Sequence, residues 1–380
     1  MMRTIGVSIL VTLLLAVAPL QSALAKQKEE PALSQVKLSM LKDIKEVNYY
    51  PSGAGWTYMW THFDSSVINE DFERLHTLGA NTVRLFISPT TFGFPTVQPL
   101  MAKRLADVID LAASNGLWVQ LTLFDWWSDY TDITGSEQWA SSLLSPYKDD
   151  PRIAIVELKN EVVPENSVQM SWVHTMLPYL ATVLPGTLRT VSVADIGPQR
   201  FYNFTQEMAS DPPDFYDYHY YGPASDAYTL MSHIKELAGS IPLFIGEAGF
   251  STAGATDQAQ LTQLEQEQAE FFRAVFSAAS KLGLPAPAPW TLYDFTSDAI
   301  PPSRTASDPS QYGYGLFTTS GTPKPAAQVV ADAFSGVASA SISSVGTAAK
   351  VSRSPAQIRA ARRRRLRLAR RLRLGRRRKK

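Results

Sequence analysis

Two glutamates each close an apolar run. Glu161 ends the stretch Ile153-Ala154-Ile155-Val156-Glu157-Leu158-Lys159-Asn160, and Glu247 follows Pro242-Leu243-Phe244-Ile245-Gly246. A carboxylate in that position stands where a strand leaves packed interior, and desolvating it is costly unless it is paired or used. Two such carboxyls facing each other suit cleavage of a glycosidic bond. One protonates the departing oxygen, and the other attacks the anomeric carbon or activates water. A separation of about 5–5.5 Å implies retention through a covalent glycosyl-enzyme. Mutual repulsion is expected to raise one of the two pKa values, leaving one carboxyl protonated beside an ionised neighbour. The bland alternative makes each a strand-end ion-pair partner. The companions of the pair weigh against it.

Arg84, in Asn81-Thr82-Val83-Arg84-Leu85-Phe86, can fork onto a carboxylate and keep it ionised. In Asp217-Tyr218-His219-Tyr220-Tyr221 strand alternation puts His219 and Tyr221 on one face, where imidazole and phenol can orient protons beside a carboxylate. Glu157 and Lys159 share the inward face with Glu161 and read as an internal ion pair. Sugars offer flat C–H faces to aromatic rings. Trp56, Trp60, Trp126, Trp127, Trp139 and Trp290 fall in loops or at strand ends, whereas Trp118 and Trp172 sit in apolar periodic segments that read as core. Trp290 is the strongest platform candidate. The five histidines form no His-x-His or His-Glu-x-x-His pattern, so no metal is expected. Neither a Gly-x-Ser-x-Gly elbow nor a phosphate-binding Gly-rich loop is present.

The elements that must position these residues alternate. Strand candidates run over Val47–Tyr50, Asn81–Ser88, Leu117–Phe124, Ile153–Asn160, Leu188–Ala194, Phe215–Tyr221, Pro242–Glu247 and Pro289–Phe295. They start about 27 to 47 residues apart, the spacing of βα units. Helical patterns between them cover Asn69–Leu78, Met101–Ala113, Ser167–Leu184, Ala227–Ala238 and Gln258–Leu282. Asn69 and Ser167 read as N-caps, and Gly79, Gly116 and Gly283 as C-terminal stops. Eight such units predict an α/β chain folded as a single (β/α)8 barrel. An open doubly wound sheet fits less well, because no Gly-x-Gly-x-x-Gly follows the first strand.

The chain has 380 residues, no cysteine and a formal net charge of +1. Without cysteine there are no disulfides, thiolate metal sites or thiol catalysis. The charge hides a split. Residues 351–380 hold 13 Arg and 2 Lys and no acid, while residues 26–350 hold 20 basic against 35 acidic side chains. Residues 1–25 read as an export signal, with Arg3, an apolar stretch from Ile5 to Leu20, and small residues at Ala23-Leu24-Ala25. A spacer follows over 26–45, then the barrel domain over 46–335, a Ser/Ala/Gly linker over 336–350 and the basic tail over 351–380. Like charges at the tail's density repel, so it is expected to be disordered. Behind an export signal, its partner would be an anionic envelope polymer or lipid rather than nucleic acid.

In this order the motifs resemble the retaining glycoside hydrolases of the large (β/α)8 clan, and most closely family 5, the cellulase and β-mannanase family. The resemblance covers about residues 46 to 330. It implies Glu161, in Leu158-Lys159-Asn160-Glu161, as acid/base with Asn160 on the sugar 2-hydroxyl. Ile245-Gly246-Glu247-Ala248-Gly249 implies Glu247 as nucleophile. Arg84 matches the arginine that steadies the nucleophile, His219 and Tyr221 the His-x-Tyr pair, and Trp290 the platform on the eighth strand. Tyr314-Gly315-Leu316-Phe317 and Gly321-Thr322-Pro323-Lys324-Pro325 are typical of the segment after it. Many members place a His at the end of strand three. Here Asp125 or Trp126 takes that position, and Val162 stands where Pro often follows the acid/base.

The expected activity is thus that of an exported, monomeric, cofactor-independent glycosidase, secreted or held at the cell surface. Its substrate would be a β-1,4-linked glucan or mannan. Exo-acting cleavage of short glycosides, or a catalytically idle polysaccharide-binding barrel, are the alternatives.

Overall fold

The structure is a computed structural model that describes residues 39–336. The expected export signal, residues 26–38 of the spacer, residues 337–350 of the linker and the basic tail lie outside the described residues.

Eight strands are parallel: β1 (Glu46–Asn48), β2 (Thr82–Phe86), β3 (Trp118–Thr122), β4 (Ile153–Glu157), β5 (Leu188–Thr190), β6 (Ser192–Val193), β7 (Tyr216–Tyr220) and β8 (Leu243–Ala248). They pair in two runs, β1 through β5 and β6 through β8. Only Val191 separates β5 from β6, so the two are halves of one stave. The first half pairs with β4 and the second with β7. The other seam is closed by residues 288–292. Ala248 N–H donates to Ala288 O at 2.9 Å and Trp290 N–H to Ala248 O at 2.8 Å. On the opposite edge Asn48 N–H donates to Pro289 O at 3.1 Å and Leu292 N–H to Asn48 O at 3.2 Å. The ring therefore closes with eight staves, β5 and β6 together forming stave five, β7 stave six, β8 stave seven and this segment stave eight. The expected strand over Pro289–Phe295 makes isolated bridges rather than a regular ladder. Pro287 and Pro289 lack the N–H that a ladder requires.

Among the described residues the outer layer comprises α1 (Ser65–Leu78), α2 (Pro99–Ser114), α3 (Ile133–Leu144), α4 (Ser167–Val183), α5 (Gly197–Glu207), α6 (Ala227–Ala238), α7 (Gln258–Leu282) and α8 (Pro325–Ser335), with shorter turns between. Helix α1 starts ahead of Asn69, because Asp64 accepts from the N–H groups of Ser66 and Val67. Helix α4 is capped by Asn166, which accepts from Gln169 N–H, one residue before the expected cap. Gly79 and Gly283 end α1 and α7 in the left-handed conformation that glycine adopts without strain.

Leu41 and Ile44, from the spacer, join Ile155, Leu188, Phe215 and Phe244 in an apolar cluster separate from the main core. Above it the barrel interior is polar. Glu46, Asn48, Arg84, Gln120, Thr122, Glu157, Asp217 and His219 are all fully buried on the staves. Register sets them side by side: Asn48 opposite Arg84, Arg84 opposite Gln120, Thr122 opposite Glu157, and His219 opposite Glu247.

Candidate active site

Arg84 organises the C-terminal mouth of the barrel from stave two. Its Nη1 donates to Glu247 Oε1 at 2.6 Å and to Asn48 Oδ1 at 2.8 Å. Nη2 donates to Asn160 Oδ1 at 2.8 Å, and Nε to Glu157 Oε2 at 2.8 Å and Thr122 Oγ1 at 2.9 Å. No lysine could satisfy five acceptors in one plane. Asn48, in turn, donates from Nδ2 to Gly246 O at 2.9 Å, which ties Arg84 to the stave that carries Glu247.

Glu247 receives a second donor from Tyr221, whose Oη lies 2.7 Å from Oε2. Burial first, and then the Glu247 charge, hold the Tyr221 phenol well above its ordinary pKa, so it keeps its proton and donates. His219 Nδ1 lies 3.0 Å from Glu161 Oε1 and 3.3 Å from Glu247 Oε2. One oxygen from each glutamate and a ring nitrogen of His219 all fall within 4.8 Å of one another. Oxygens this close fit the short, retaining class of paired carboxyls.

Glu161 stands on strained backbone at φ 50°, and its N–H donates to Ser192 Oγ at 2.8 Å, from stave five. Its side chain keeps 38% exposure, open to the mouth, while that of Glu247 keeps 5%. The expectation that repulsion lifts the acid/base carboxyl is not met in the free site. Burial would raise Glu161, but the hydrogen bond and charge of His219, helped by Arg84, outweigh it and hold the carboxyl below its usual range. Burial would likewise lower His219. The charge of Glu247, the hydrogen bond of Glu161 and the charge of Asp217 outweigh it and lift the imidazole to about 9. The shared proton therefore rests on His219, between the two carboxylates, where it cancels their repulsion. The same proton disfavours a cation at this group or at Glu157, Asp217 and His219, the other close set of ligand atoms.

Below this layer, Asp217 Oδ1 accepts from Gly246 N–H at 2.9 Å. A Cβ at Gly246 would collide with that carboxylate, so glycine is required there. Burial, against the charges of His219 and Arg84, lifts Asp217 to about 7. Glu46, also buried, is raised well above its usual value. Each of these groups binds protons more tightly folded than unfolded. Their stabilisation is fully present below the unfolded pKa and is lost as pH rises through the folded one, over about 3.8 to 7 for Asp217 and 6.5 to 9 for His219. Glu157 and Glu161, both depressed, act oppositely and lose their contribution below about 4.5. The unfolding temperature should accordingly peak near pH 5 and fall steadily toward pH 9. Asp217→Asn should flatten the part of the decline below about pH 7, as read by calorimetry across that range. An equally steep decline in the variant would contradict this assignment.

Nine of the residues singled out in the sequence sit at or just below the mouth: Arg84, Asn160, Glu161, His219, Tyr221, Glu247 and Trp290, with Asp125 and Trp126 at the end of stave three. Trp290 is 7% exposed and walled edge-on by Tyr50, Trp56 and Phe86, at ring separations of 6.2, 6.1 and 5.7 Å. Three readings need correction. Glu157 pairs with Arg84, at 2.7 Å, rather than with Lys159, because the guanidinium reaches it across the barrel. Lys159 instead donates to Phe124 O at 3.2 Å. Trp60 and Trp139 are core residues, Trp60 with its indole N–H on Phe86 O. Asn48, Thr122, Ser192 and Asp217 were not singled out at all. An interior polar residue on a strand resembles an outward-facing one until the register is known.

The sequence profile described as Cellulase (glycosyl hydrolase family 5) matches residues 45–280. No curated protein matches the chain. Among solved structures, the GH5_18 protein of Streptomyces cattleya in complex with Manβ1-4GlcNAc is similar at a TM-score of 0.62 and 21% identity, covering 77% of this chain and 80% of that one. The exo-β-1,4-mannosidase of an Opitutaceae bacterium gives 0.63 and 20%, over 77% of this chain and 59% of that one. A GH5_18 protein of Bifidobacterium longum subsp. infantis gives 0.61 and 18%, over 77% and 79%. At such identities these likenesses bear on the fold, which they share with the barrel described above. The profile spans well over half of the chain, and with the carboxyl pair at the barrel mouth it identifies the protein as a member of glycoside hydrolase family 5, a retaining glycoside hydrolase.

Proposed function

We propose that the protein hydrolyses β-1,4-linked mannosides or glucosides by double displacement, with Glu247 as nucleophile and Glu161 as acid/base. The observation that carries this reading is the placement of Arg84 and Tyr221 on the two oxygens of Glu247 while Glu161 faces it within 4.8 Å. Two donors hold Glu247 aimed, so one of its oxygens can attack the anomeric carbon. As a sugar enters and excludes water, the carboxylate of Glu161 loses solvation, and the proton moves from His219 Nδ1 across 3.0 Å onto Oε1, beside the leaving oxygen. Glycosyl transfer to Glu247 then removes one anion. Glu161, now ionised, takes a proton from the water that releases the sugar. Asn160, held by Arg84 through Oδ1, leaves its amide nitrogen for the sugar 2-hydroxyl.

A panel of p-nitrophenyl β-glycosides tests the substrate class. Turnover of the β-mannoside or β-glucoside is expected, with no response to added or chelated metal. Turnover confined to other sugars would remove the assignment. Two similar structures, one in complex with Manβ1-4GlcNAc and one an exo-β-1,4-mannosidase, support the mannoside.

Export is part of the proposal and rests on the pattern of residues 1–25. The basic tail would retain the enzyme on anionic envelope material. If deletion of residues 351–380 leaves the exported enzyme equally bound to envelopes, the tail has no such role.

A further inference from the structure

Simple alternation along stave seven does not deliver Glu247 to the mouth. Phe244 joins the inner apolar cluster with Ile155, Leu188 and Phe215, while its neighbours Leu243 and Ile245 join the main core instead. With a period of two, Glu247 shares the face of Leu243 and Ile245 and would turn away from Arg84. The register of β7 and β8 corrects this. Asp217 lies opposite Phe244, and His219 opposite Glu247, so two residues, Ile245 and Gly246, face the single Tyr218. That is a β-bulge, and one extra residue moves every later side chain to the other face. Beyond it Glu247 pairs with the inward His219, and Ala248 with Tyr220, which stacks on Phe271 of α7.

A bulge breaks the ladder locally, so its backbone groups need other partners. Both polar groups of Gly246 go to buried side chains. Its N–H donates to Asp217 Oδ1 at 2.9 Å, from stave six, and its carbonyl accepts from Asn48 Nδ2 at 2.9 Å, from stave one. Asp217 and Asn48 are both fully buried. The Asp217 carboxylate occupies the space into which a side chain at 246 would project, since an added Cβ would meet its oxygens. Asn48 Oδ1 also accepts from Arg84 Nη1 at 2.8 Å, the nitrogen that donates to Glu247 Oε1. The residue immediately before Glu247 is thus clamped from two staves.

We infer that Asp217, opposed by Asn48, is a positioning residue: it holds the bulge at Gly246 and so aims Glu247 at the anomeric carbon. The inference rests on the glycosidase reading of Glu247 and adds a residue that touches neither sugar nor nucleophile.

The test uses the 2,4-dinitrophenyl β-mannoside or β-glucoside, whichever the wild type turns over faster. This leaving group departs without a proton, so kcat/KM reports attack by Glu247 rather than acid catalysis through His219 and Glu161. Asp217→Ala should lower kcat/KM by about 100-fold, the scale of a slightly misplaced reacting group. Asp217→Asn keeps an oxygen for Gly246 N–H and should recover at least about tenfold of that loss. Gly246→Ala, which drives the carboxylate off the same N–H, should fall as Asp217→Ala does, and it carries the test if Asp217→Ala does not fold. The decisive measurement repeats each substitution in Glu247→Ala with azide as nucleophile. Azide needs no aiming, so the azide-dependent rate should change by less than about threefold, as for residues that act as one unit. A 100-fold loss that persists in the azide reaction would overturn the clamp and leave the glycosidase reading standing. So would an Asp217→Asn variant as impaired as Asp217→Ala, or folded Asp217→Ala and Gly246→Ala variants with wild-type kcat/KM. Absence of wild-type turnover on every aryl β-glycoside would remove the glycosidase reading and the clamp with it.

Discussion

Replacing Glu247 by Ala should reduce turnover by about 10⁵-fold or more, the scale seen when a covalent nucleophile is removed. The loss should be almost entirely in kcat, because Glu247 is 4% exposed and contributes little to holding ground-state sugar. It should not be a folding defect. The truncation leaves Arg84 with Glu157, Asn48, Asn160 and Thr122 as partners. Azide has room in the vacated space and should restore activity on an activated aryl β-glycoside, giving the α-glycosyl azide. The configuration separates roles: azide acting in place of Glu247 inverts, whereas azide replacing a missing base after glycosylation retains. Wild-type activity in Glu247→Ala would take the residue out of the mechanism.

Arg84 should produce the largest stability effect of any single substitution at the site. Arg84→Ala leaves Glu157 and Glu247 without their shared counter-charge in a fully buried layer that also contains Asp217 and Glu46. Removing one partner of a buried ion pair costs about 3–5 kcal/mol, a large fraction of the stability of a typical domain. The expected result is a folded fraction that falls sharply at ambient temperature, measured by urea unfolding. Arg84→Lys keeps the charge but loses the planar fork, so it should recover most of the stability and little of the activity. If Arg84→Ala unfolds within about 1 kcal/mol of wild type, the buried carboxyls must already be protonated, and the charge state described for the barrel interior is wrong.

Much of this was readable from the chain because strand ends are readable. Glu161 and Glu247 each terminate an apolar run, and one-face alternation of His219 and Tyr221 needed only a period of two. Gly79 and Gly283 end helices for a reason local to their own backbone. What stayed hidden depends on contacts distant in sequence. Asn48, Thr122 and Asp217 read as ordinary polar strand residues until the register turned them inward around Arg84. Strand alternation puts Glu157 and Lys159 on one face and suggests they pair, yet a long guanidinium from stave two reaches Glu157 first. Trp139 lies on α3, a helix that the hydrophobic pattern did not reveal, and so it read as a loop residue. The proton on His219 was invisible for the same reason: it follows from three carboxylates converging from staves four, six and seven. The contact between Trp126 and Arg304 joins two loops whose sequences carry no periodic signal.

The central claim is that Glu247 becomes covalently glycosylated. A 2,4-dinitrophenyl 2-deoxy-2-fluoro-β-glycoside of the preferred sugar should inactivate the enzyme in step with release of one dinitrophenolate. The intact mass should rise by one fluorosugar, and peptide mapping should place it on Glu247. A label on any other residue, or full turnover with no trapped species, would contradict the account.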